Sequence, residues 1–314
     1  MKESTPMFNF DFSAPLVSVV TITYNSERFI KNAIDSILHS SYKNFELIIG
    51  DDCSTDGTWS IVAEYSDPRI CKYRNSSNIG EYKNRNKAIQ LAKGDYLVFI
   101  DGDDVLLYRG IENAVKEMKR FPECGFGIVK PENPKYIGPL EIGQRDVIGL
   151  EFLGPGVLES ALCNNVYRTS FLKRNLFFDD YRNSDTYSRI YFAFFTPVLV
   201  LIDPIAIWRI TPNQASQSIP VLTSYFERIH FYRFYLIPIN LKYRLIDPEK
   251  LYQVYYRTLG RYLLMKLAKI ETVADLRSYL MHGFVKAVKY CFARYHRIYW
   301  DQYDYLNINI LIEK

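Results

Sequence analysis

The sequence predicts an α/β protein whose mostly parallel sheet is flanked by helices and followed by a C-terminal helical region. Across residues 15–104, short apolar segments rich in β-branched residues alternate with segments whose apolar residues recur at helical spacing. This alternation is typical of a parallel sheet with helices on both faces. Residues 221–314 instead carry long stripes at helical spacing, interrupted by only two glycines. We therefore expect a first domain over 1–220 and a helical tail over 221–314.

The first strand is predicted at 15–23, because this segment is apolar and rich in β-branched side chains. It ends at the polar residues Tyr24, Asn25 and Ser26, and either Asn25 or Ser26 is expected to cap the helix that follows. The apolar positions of that helix are Phe29, Ile30, Ala33, Ile34, Ile37 and Leu38.

The next elements continue the alternation. We predict strands at 45–49, 70–73 and 95–101, and helices at 56–66 and through the polar segment with Lys83, Arg85 and Lys87. Ser54 or Thr55 is expected to start the first of these helices. Lys93 and Gly94 form a typical C-cap pair, so the polar helix should end there and lead into the last strand.

Polar clusters follow three of the four predicted strands. They are Thr23-Tyr24-Asn25, Asp51-Asp52 and Asp101-Gly102-Asp103-Asp104. In open sheets of this class, ligands bind beyond the carboxyl ends of the strands. Because three separate strand ends carry such residues and the strand interiors do not, the sequence predicts a binding site at this edge of the sheet.

The acid cluster predicts a metal site. Asp101, Asp103 and Asp104 stand within four positions, directly after an apolar strand that is expected to be buried. Carboxylates held this close repel one another and favour protonation or a bound cation. A hard divalent cation, Mn²⁺ or Mg²⁺, offsets that repulsion and can carry a phosphate on its far side. The alternative is a solvated acidic turn, which the polar clusters on the neighbouring strand ends make less favoured.

The residues at the strand ends also suggest the class of ligand. No G-x-G-x-x-G follows the first strand and no G-x-x-x-x-G-K-[ST] is present, which argues against a dinucleotide site and against a P-loop. A carboxylate after the second strand can accept hydrogen bonds from a base or a ribose. A cation at the acid cluster, helped by Arg85 or Lys83, can hold a diphosphate. Together these features favour a nucleoside diphosphate.

Four segments resemble the donor-site motifs of family 2 glycosyltransferases of the GT-A fold, the fold of nucleotide-diphospho-sugar transferases. They are PLVSVVTITYNSERFIKNAIDSIL (15–38), FELIIGDDCSTDGT (45–58), NIGEYKNRNKAI (78–89) and GDYLVFIDGDDVL (94–106). The resemblance implies an inverting, metal-dependent enzyme of bacterial surface-polysaccharide synthesis. Such an enzyme moves a hexose or N-acetylhexosamine from a nucleotide donor, most often UDP-linked, to an acceptor hydroxyl. The donor site should then lie within 15–104, and the acceptor and base region within 150–212.

The resemblance also implies the roles of individual residues. The implied donor-binding residues are Thr23, Tyr24, Asn25, Glu27, Asp52, Arg85, Asp101 and Arg209. Asp52 should contact the uracil or its ribose. Asp101 and Asp103 form the DxD motif, with Asp103 as the direct metal ligand and Asp101 nearer the ribose or a metal-bound water. The sequence departs from the family at Asn84, where an Ala is usual, and at Thr211, where the family has a His.

Direct displacement also needs a base that removes the proton of the acceptor hydroxyl. In the family this base is commonly the Asp of a Glu-Asp pair that follows a Phe-Asp-Glu-like turn. Here Asp185 takes the Asp position, and Ser184 replaces the Glu. Asp179 and Asp180 lie just before this pair; they are expected to cap the next helix and are the alternative bases.

Composition indicates the cellular compartment of the protein. The chain has 314 residues and a net charge of +4, and its five cysteines include no C-x-x-C pair, as expected of reduced thiols in the cytoplasm. Residues 1–14 contain acids and lack a long apolar core, so they do not resemble a signal peptide. The longest apolar stretch, 197–208, is too short to span a bilayer. We expect a cytoplasmic protein, with or without peripheral contact to the inner face of the membrane.

The tail is basic and rich in tyrosine. Residues 221–314 hold 15 Lys and Arg against 8 Asp and Glu, and 14 of the 26 tyrosines. Helices are expected at 222–236, from Pro248 and from Thr272. Their apolar stripes could pack on the catalytic domain or on a second copy of the chain. Their basic, aromatic face would also suit an anionic membrane, where a lipid-linked acceptor would be found.

The sequence also bears on other partners and functions. The basic excess is modest and no nucleic-acid-binding motif is present, so nucleic acid is not expected as a partner. The expected partners are a nucleotide-sugar donor and a glycan or lipid-linked acceptor. Two other classes stay open: a nucleotide-sugar-binding protein without transfer activity, and a scaffold in a polysaccharide assembly complex that acts through the tail.

Overall fold

The computed structural model describes residues 14–130, 138–154, 156–179, 181, 184–211 and 221–267. Its strands are β1 (Val17–Thr23), β2 (Phe45–Asp51), β3 (Ile70–Arg74), β4 (Tyr96–Phe99), β5 (Val105–Leu106), β6 (Phe126–Val129), β7 (Leu140–Ile142), β8 (Asn165–Arg168), β9 (Val198–Leu201) and β10 (Ala206–Ile207). Its α-helices are α1 (Ile30–Leu38), α2 (Thr58–Glu64), α3 (Glu81–Leu91), α4 (Gly110–Arg120), α5 (Gln144–Leu153), α6 (Thr169–Arg174), α7 (Ser184–Phe192), α8 (Val221–Phe231), α9 (Ile237–Tyr243) and α10 (Pro248–Leu267). A 3₁₀-helix covers Leu162–Asn164, and a π-helix covers Tyr232–Leu236.

Eight strands form one sheet in the order β3-β2-β1-β4-β8-β6-β9-β7, and β5 pairs with β10 in a separate two-stranded sheet. Strands β3, β2, β1 and β4 run parallel to one another, and β6 runs parallel to β9. Strand β8 is antiparallel to both of its neighbours, and β7 is antiparallel to β9. Parallel pairings are in the majority, so the prediction of a mostly parallel sheet flanked by helices is confirmed.

The first half of the sheet positions the polar clusters. Every residue of β1 and of β4 is buried, as expected for parallel strands covered on both faces. Helix α1 contributes Ile30, Ile34 and Ile37 to the same core. The register pairs Thr23 with Asp51, so β1 and β2 end at the same level. The residues that follow these strands therefore meet at one edge of the sheet.

Two helices begin later than predicted. Helix α1 begins at Ile30, and Asn25 does not cap it, because Asn25 has a positive φ of 51° and its side chain bonds to Thr55 instead. Helix α2 begins at Thr58, whose backbone N–H donates to the carboxylate of Asp56 at 3.0 Å. An aspartate that follows the predicted starting residues thus binds the first residue of α2.

An aromatic cluster fixes the chain before α7 against α3. The ring of Phe177 lies 6.2 Å from that of Tyr82 in α3, 5.6 Å from Phe99 in β4 and 6.0 Å from Tyr167 in β8. Asn86 of α3 binds the same residue twice, since its side-chain amide donates to the Phe177 carbonyl at 2.8 Å and its side-chain oxygen accepts the Phe177 N–H at 3.1 Å. These contacts bring the start of α7 to the edge where β4 ends.

The described chain forms two compact units. One comprises the described residues up to 211 together with Pro238–Pro248, and the other comprises the described residues of 221–237 and 249–267. Helix α10 begins at Pro248, as predicted, and α8 with the π-helix covers the predicted helix at 222–236. The helix predicted from Thr272 lies outside the described residues, and the domain boundary at 220 stays a prediction. Of the helices that the structure describes, none is long and apolar enough to cross a membrane.

Candidate active site

The loops after β1 and β2 are tied together by two side chains that were predicted to bind the donor. Asn25 Oδ1 accepts the backbone N–H of Thr55 at 2.8 Å, and the Asn25 N–H donates to Ser54 Oγ at 3.0 Å. Glu27 Oε2 accepts the N–H of Gly57 at 3.0 Å. Both side chains therefore bond to protein atoms, and these contacts shape the rim of the candidate site.

Asp51 is enclosed by protein. It is fully buried, and its carboxylate accepts the N–H of Ser54 at 3.1 Å and pairs with Nε of Arg74 at 3.2 Å. Buried charges are usually paired in this way, because an isolated carboxylate is costly to desolvate. Asp51 thus holds the loop after β2 in place.

Asp52 holds the next loop and keeps one acceptor position open. Its carboxylate accepts the Asn75 side-chain amide at 2.9 Å and the backbone N–H groups of Ile79 and Gly80 at 3.0 and 2.9 Å. The Asn75 side-chain oxygen in turn accepts from Lys87 at 2.7 Å. A carboxylate offers about four lone-pair positions, so these three bonds leave one for a ligand.

Thr23 and Tyr24 differ in what they offer to a ligand. The ring of Tyr24 is 47% exposed, whereas Thr23 is buried and its Oγ1 has no hydrogen-bond partner within the described part of the chain. A Cβ atom on Gly102 would lie 2.6 Å from Thr23 Oγ1. The glycine therefore lets residues 101–104, the acid turn, approach the end of β1.

Arg85 forms a fork with Asp101. Its two terminal nitrogens lie 2.6 and 2.8 Å from the two Asp101 oxygens, and one of them also lies 2.7 Å from Glu81 Oε1. Burial alone would lower the pKa of Arg85, but the two carboxylates outweigh it and raise this pKa well above its usual value. Arg85 therefore stays charged and paired, and its main contact is Asp101.

The segment after β10 is fastened to the other two acids. Thr211 Oγ1 donates to Asp103 Oδ2 at 3.1 Å, and the backbone N–H of Arg209 donates to Asp104 Oδ1 at 3.1 Å. Burial raises the pKa of Asp103, and the charge of Asp101 adds to the effect. Burial likewise raises the pKa of Asp104 to about 7, again with a contribution from Asp101. The acid turn is thus a place where negative charge is unfavourable.

Arg209 brings a positive charge to this edge. Its guanidinium lies 5.1 Å from the ring centre of Phe29, in cation–π geometry. Within the residues that the structure describes, it has no carboxylate at ion-pair distance. Arg209 therefore differs from Arg85, whose charge is already balanced by two acids.

The acid turn fits a divalent cation centred on Asp103. Burial and the neighbouring Asp101 disfavour the ionised form of Asp103, and a hard cation would offset both effects. No group of three or more His, Cys, Asp and Glu side chains suited to a metal occurs among the described residues. A cation here would therefore complete its coordination with substrate phosphate oxygens and water, as Mg²⁺ usually does.

Asp185, the predicted base, lies at the start of α7 and contacts two other side chains. Its Oδ1 accepts the Tyr82 hydroxyl at 3.1 Å, and its Oδ2 pairs with the fully buried Arg189 at 3.0 Å. The Asp185 side chain is 20% exposed. Partial burial raises the pKa of Glu81, and the negative charges of Asp101 and Asp185 raise it further. Glu81 is therefore close enough to both acids to be affected by their charges.

Several residues that hold the site together were not found from the sequence. They are Ser54, Arg74, Asn75, Tyr82, Arg189 and the hydroxyl of Thr211 as a donor to Asp103. Arg189 had a signal, because it follows Asp185 by four positions and such pairs meet on a helix. Tyr82 had none, because 103 residues separate it from Asp185. Of the alternative bases, Asp179 is exposed, and Asp180 lies outside the described residues.

Residues 18–179 match the family model described as glycosyl transferase family 2. This match spans more than half of the chain, and the chain belongs to that family. The resemblance carried by the donor-site motifs is thereby confirmed.

The sequence is also similar to curated proteins. The chain is 39% identical over 104 residues to the UDP-Glc:α-D-GlcNAc-diphosphoundecaprenol β-1,3-glucosyltransferase WfaP of Escherichia coli, across 33% of this chain and 41% of that protein. Matches to the first few curated relatives cover only 36% to 41% of their lengths. The similarity is therefore to a part of each relative.

Solved structures share the fold. Staphylococcal (S. aureus) TarS 1–349 in complex with UDP-GlcNAc aligns with a TM-score of 0.62 at 20% identity, over 87% of this chain and 81% of that one. The mannosyltransferase PcManGT of Pyrobaculum calidifontis, in complex with GDP-Man and Mn²⁺, aligns with a TM-score of 0.58 at 18% identity, over 88% and 81%. At these identities the likeness establishes the fold, and the predicted GT-A class is confirmed.

Proposed function

We propose that this protein is an inverting glycosyltransferase that moves a sugar from a UDP-linked donor to an acceptor hydroxyl in surface-polysaccharide or lipid-linked glycan synthesis. One observation supports the proposal: the acid turn 101–104 contacts Arg85 of α3 and the backbone of Arg209, and Asp185 contacts Tyr82 of the same turn of α3. WfaP, named for a UDP-glucose donor and a diphosphoundecaprenol acceptor, and TarS, solved with UDP-GlcNAc, support the choice of donor and acceptor class.

The base of the nucleotide binds between Tyr24 and Asp52 in this proposal. The exposed ring of Tyr24 provides an aromatic face for the base, and Thr23 precedes it at the end of β1. The open lone pair of Asp52 accepts the ring N–H of uracil. The other lone-pair positions of Asp52 already accept hydrogen bonds from the loop at 75–80. The carboxylate therefore cannot rotate to avoid a base that lacks this N–H. This rigidity supports the binding of a base that carries a ring N–H, as uracil does.

The diphosphate binds at the acid turn. Asp103 would hold Mn²⁺ or Mg²⁺, with Asp101 beside it, and a bound cation supplies positive charge to the leaving diphosphate. Arg209 adds a second positive charge, since its guanidinium lies over the Phe29 ring and, among the described residues, pairs with no carboxylate. Arg85 acts indirectly, because it holds Asp101 in a fixed orientation.

The transfer step is a single displacement. The acceptor oxygen forms a bond to the anomeric carbon on the face opposite the diphosphate, which inverts the configuration at that carbon. The bond from the carbon to the diphosphate oxygen breaks, and UDP leaves with the electron pair. Asp185 takes the proton of the acceptor hydroxyl, which avoids formation of a charged oxonium product.

A nucleotide-sugar-binding protein without transfer activity is the second candidate. The observation that favours it is that both oxygens of Asp185 already accept hydrogen bonds from Tyr82 and Arg189. A carboxylate has about four lone-pair positions, so two remain for an acceptor hydroxyl. The two candidates therefore differ in turnover and agree on donor binding.

The first prediction separates these candidates. Asp185→Asn keeps the shape of the side chain and removes its basicity, so UDP affinity should stay within about twofold while kcat falls by roughly 100-fold or more. UDP binding is measured by calorimetry with Mn²⁺ and with EDTA, and transfer is measured with a panel of UDP-, GDP- and TDP-sugars. Asp179→Asn, which changes an exposed acid six residues earlier, is the matched control and should keep its turnover.

Three outcomes would count against the proposal or a part of it. Normal turnover by Asp185→Asn would move the base to another residue. UDP binding by the wild type without turnover of any sugar in the panel would favour the binding protein. Equal UDP affinity with Mn²⁺ and with EDTA would remove the metal from the proposal and leave the reaction class standing.

A further inference from the structure

One turn of α3 contacts both sides of the proposed reaction. Arg85 holds Asp101, on the donor side, and is itself paired with Glu81 four residues earlier. Tyr82 lies between them in sequence, and its hydroxyl donates to Asp185, on the acceptor side. The position of the proposed base relative to the donor carboxylate is therefore set through a single helical turn.

The geometry of Tyr82 makes its hydroxyl a defined donor. Its oxygen lies 3.1 Å from Asp185 Oδ1, and its ring lies against Phe177 at 6.2 Å and beneath the guanidinium of Arg85 at 5.8 Å. Burial, followed by the charges of Asp185 and Glu81, raises the pKa of Tyr82 well above its usual value. The hydroxyl is therefore protonated across the working pH range of an enzyme and can donate to the carboxylate.

The second oxygen of Asp185 is fixed from its own helix. Arg189 is fully buried, lies 3.0 Å from Asp185 Oδ2, and donates through Nε to the carbonyl of Leu158 at 2.9 Å. Donors from two different elements thus bind the two oxygens, Tyr82 from α3 and Arg189 from α7. A carboxylate held at both oxygens cannot rotate about its terminal bond without losing one of these hydrogen bonds.

We propose that Tyr82 is a positioning residue that, together with Arg189, fixes the carboxylate plane of Asp185 so that its remaining lone pairs point to the acceptor hydroxyl. This inference deepens the proposed function and rests on it. Tyr82 acts only through Asp185 and does not exchange a proton with the substrate. Fixed orientation matters here, because a base must lie within hydrogen-bond reach of the proton it removes.

Tyr82→Phe tests the inference, because it removes one hydroxyl and keeps the ring that packs on Phe177 and Arg85. We expect kcat to fall by about tenfold, the size of effect that a hydrogen bond to a charged group supports, with the affinity for UDP within about twofold of the wild type. The KM for the UDP-sugar should stay within about twofold of that of the wild type, because the substitution changes the orientation of the base and no donor contact.

Tyr65→Phe is the matched control. The Tyr65 hydroxyl donates to Asp35 at 2.7 Å, so this variant also loses a tyrosine–carboxylate bond that involves a helical aspartate, but outside the candidate site. This control variant should leave kcat and KM unchanged. The double variant with Asp185→Asn provides a second control, because a residue that acts through Asp185 should add little once that carboxylate is gone.

The outcomes separate this inference from the function on which it rests. Tyr82→Phe with a lowered melting temperature but unchanged kcat would reduce Tyr82 to a packing residue and overturn the inference alone. Normal turnover by Asp185→Asn would overturn the proposed base, and the inference with it. A fall in kcat without a change in KM in Tyr82→Phe, lost in the Asp185→Asn background, would support the positioning role.

Discussion

At the scale of single residues, Asp104 is the acid whose protonation should respond to pH near neutrality. Burial raises its pKa to about 7, and the neighbouring Asp101 and Asp103 add to the effect. The folded protein therefore binds this proton more tightly than the unfolded chain does. The stability that Asp104 contributes is fully present below its ordinary pKa of 3.8 and is lost as the pH rises through about 7.

Asp104→Asn should flatten this pH dependence, because an amide does not titrate. Between about pH 4 and pH 7, we expect the free energy of unfolding of the wild type to fall relative to that of the variant, with a slope of at most about 1.4 kcal/mol per pH unit. Urea unfolding of both proteins across this range measures the difference. Parallel curves for the two proteins would show that Asp104 does not titrate in this window.

At the scale of elements, the strands of the first half could be predicted and the helix starts could not. Strand β1 is a run of seven buried apolar and small polar residues, and such a run carries its own signal. The start of α1 depends on Asn25, whose side chain bonds to Thr55, thirty residues away. A capping rule considers only neighbouring residues, so it cannot detect a competing partner from another loop.

The same limit applies to the candidate site. The acids could be found because they follow strands, and strand ends meet at one edge whatever the details of packing. Their partners could not be found in this way. Tyr82 meets Asp185, and Thr211 meets Asp103, only because strands and helices far apart in sequence pack together. The sequence therefore predicts which groups bear charge, and the fold decides which of them are already paired.

Helix α4 and the segment before β10 meet at Gly110. A Cβ atom there would lie 2.1 Å from the carbonyl oxygen of Ile205, which also accepts the N–H of Leu107 at 3.0 Å. This contact sets the position of the chain that continues to Arg209 and Thr211. The contacts of Arg209 and Thr211 with the acid turn therefore depend on close packing at Gly110.

Gly110→Ala should therefore destabilise the protein by roughly 2 kcal/mol or more, because backbone atoms must shift to admit the methyl group. Gly149→Ala is the control: Gly149 lies inside α5 with open space around its Cβ position, so this change should stabilise by up to about 1 kcal/mol. Thermal unfolding of both variants makes the comparison. Equal melting temperatures for the two would mean that the contact with Ile205 relaxes freely.

At the scale of the whole molecule, the second unit displays aromatic and basic groups. Phe226 and Phe234 are 56% and 40% exposed, and His230 lies between them, with its ring 4.5 Å from that of Phe234. The guanidinium of Arg233 lies 5.2 Å from the ring centre of Phe234. Aromatic rings beside basic groups suit the boundary between lipid headgroups and acyl chains.

Vesicle binding tests whether this surface meets a membrane. We expect the full chain to sediment with vesicles of anionic lipid at low salt. Added salt should weaken the free energy of binding by about 1 kcal/mol for each basic residue that loses its contact with the lipid surface. Vesicles of neutral lipid are the control and should bind less. No sedimentation with anionic lipid at low salt would leave packing within or between chains as the role of the tail.

The position of β8 in the sheet has a consequence for how the protein is made. Strands β3, β2, β1 and β4 are complete by Phe99, but the strand that covers the free edge of β4 begins only at Asn165. At about 5–20 residues per second, the ribosome takes several seconds to supply it. Throughout this interval the nascent chain carries a fully apolar strand, Tyr96–Phe99, with one side open to pair with any other extended chain. The growing polypeptide is thus most exposed to aggregation while the stretch from 100 to 165 is being translated, and chaperone binding should be concentrated there.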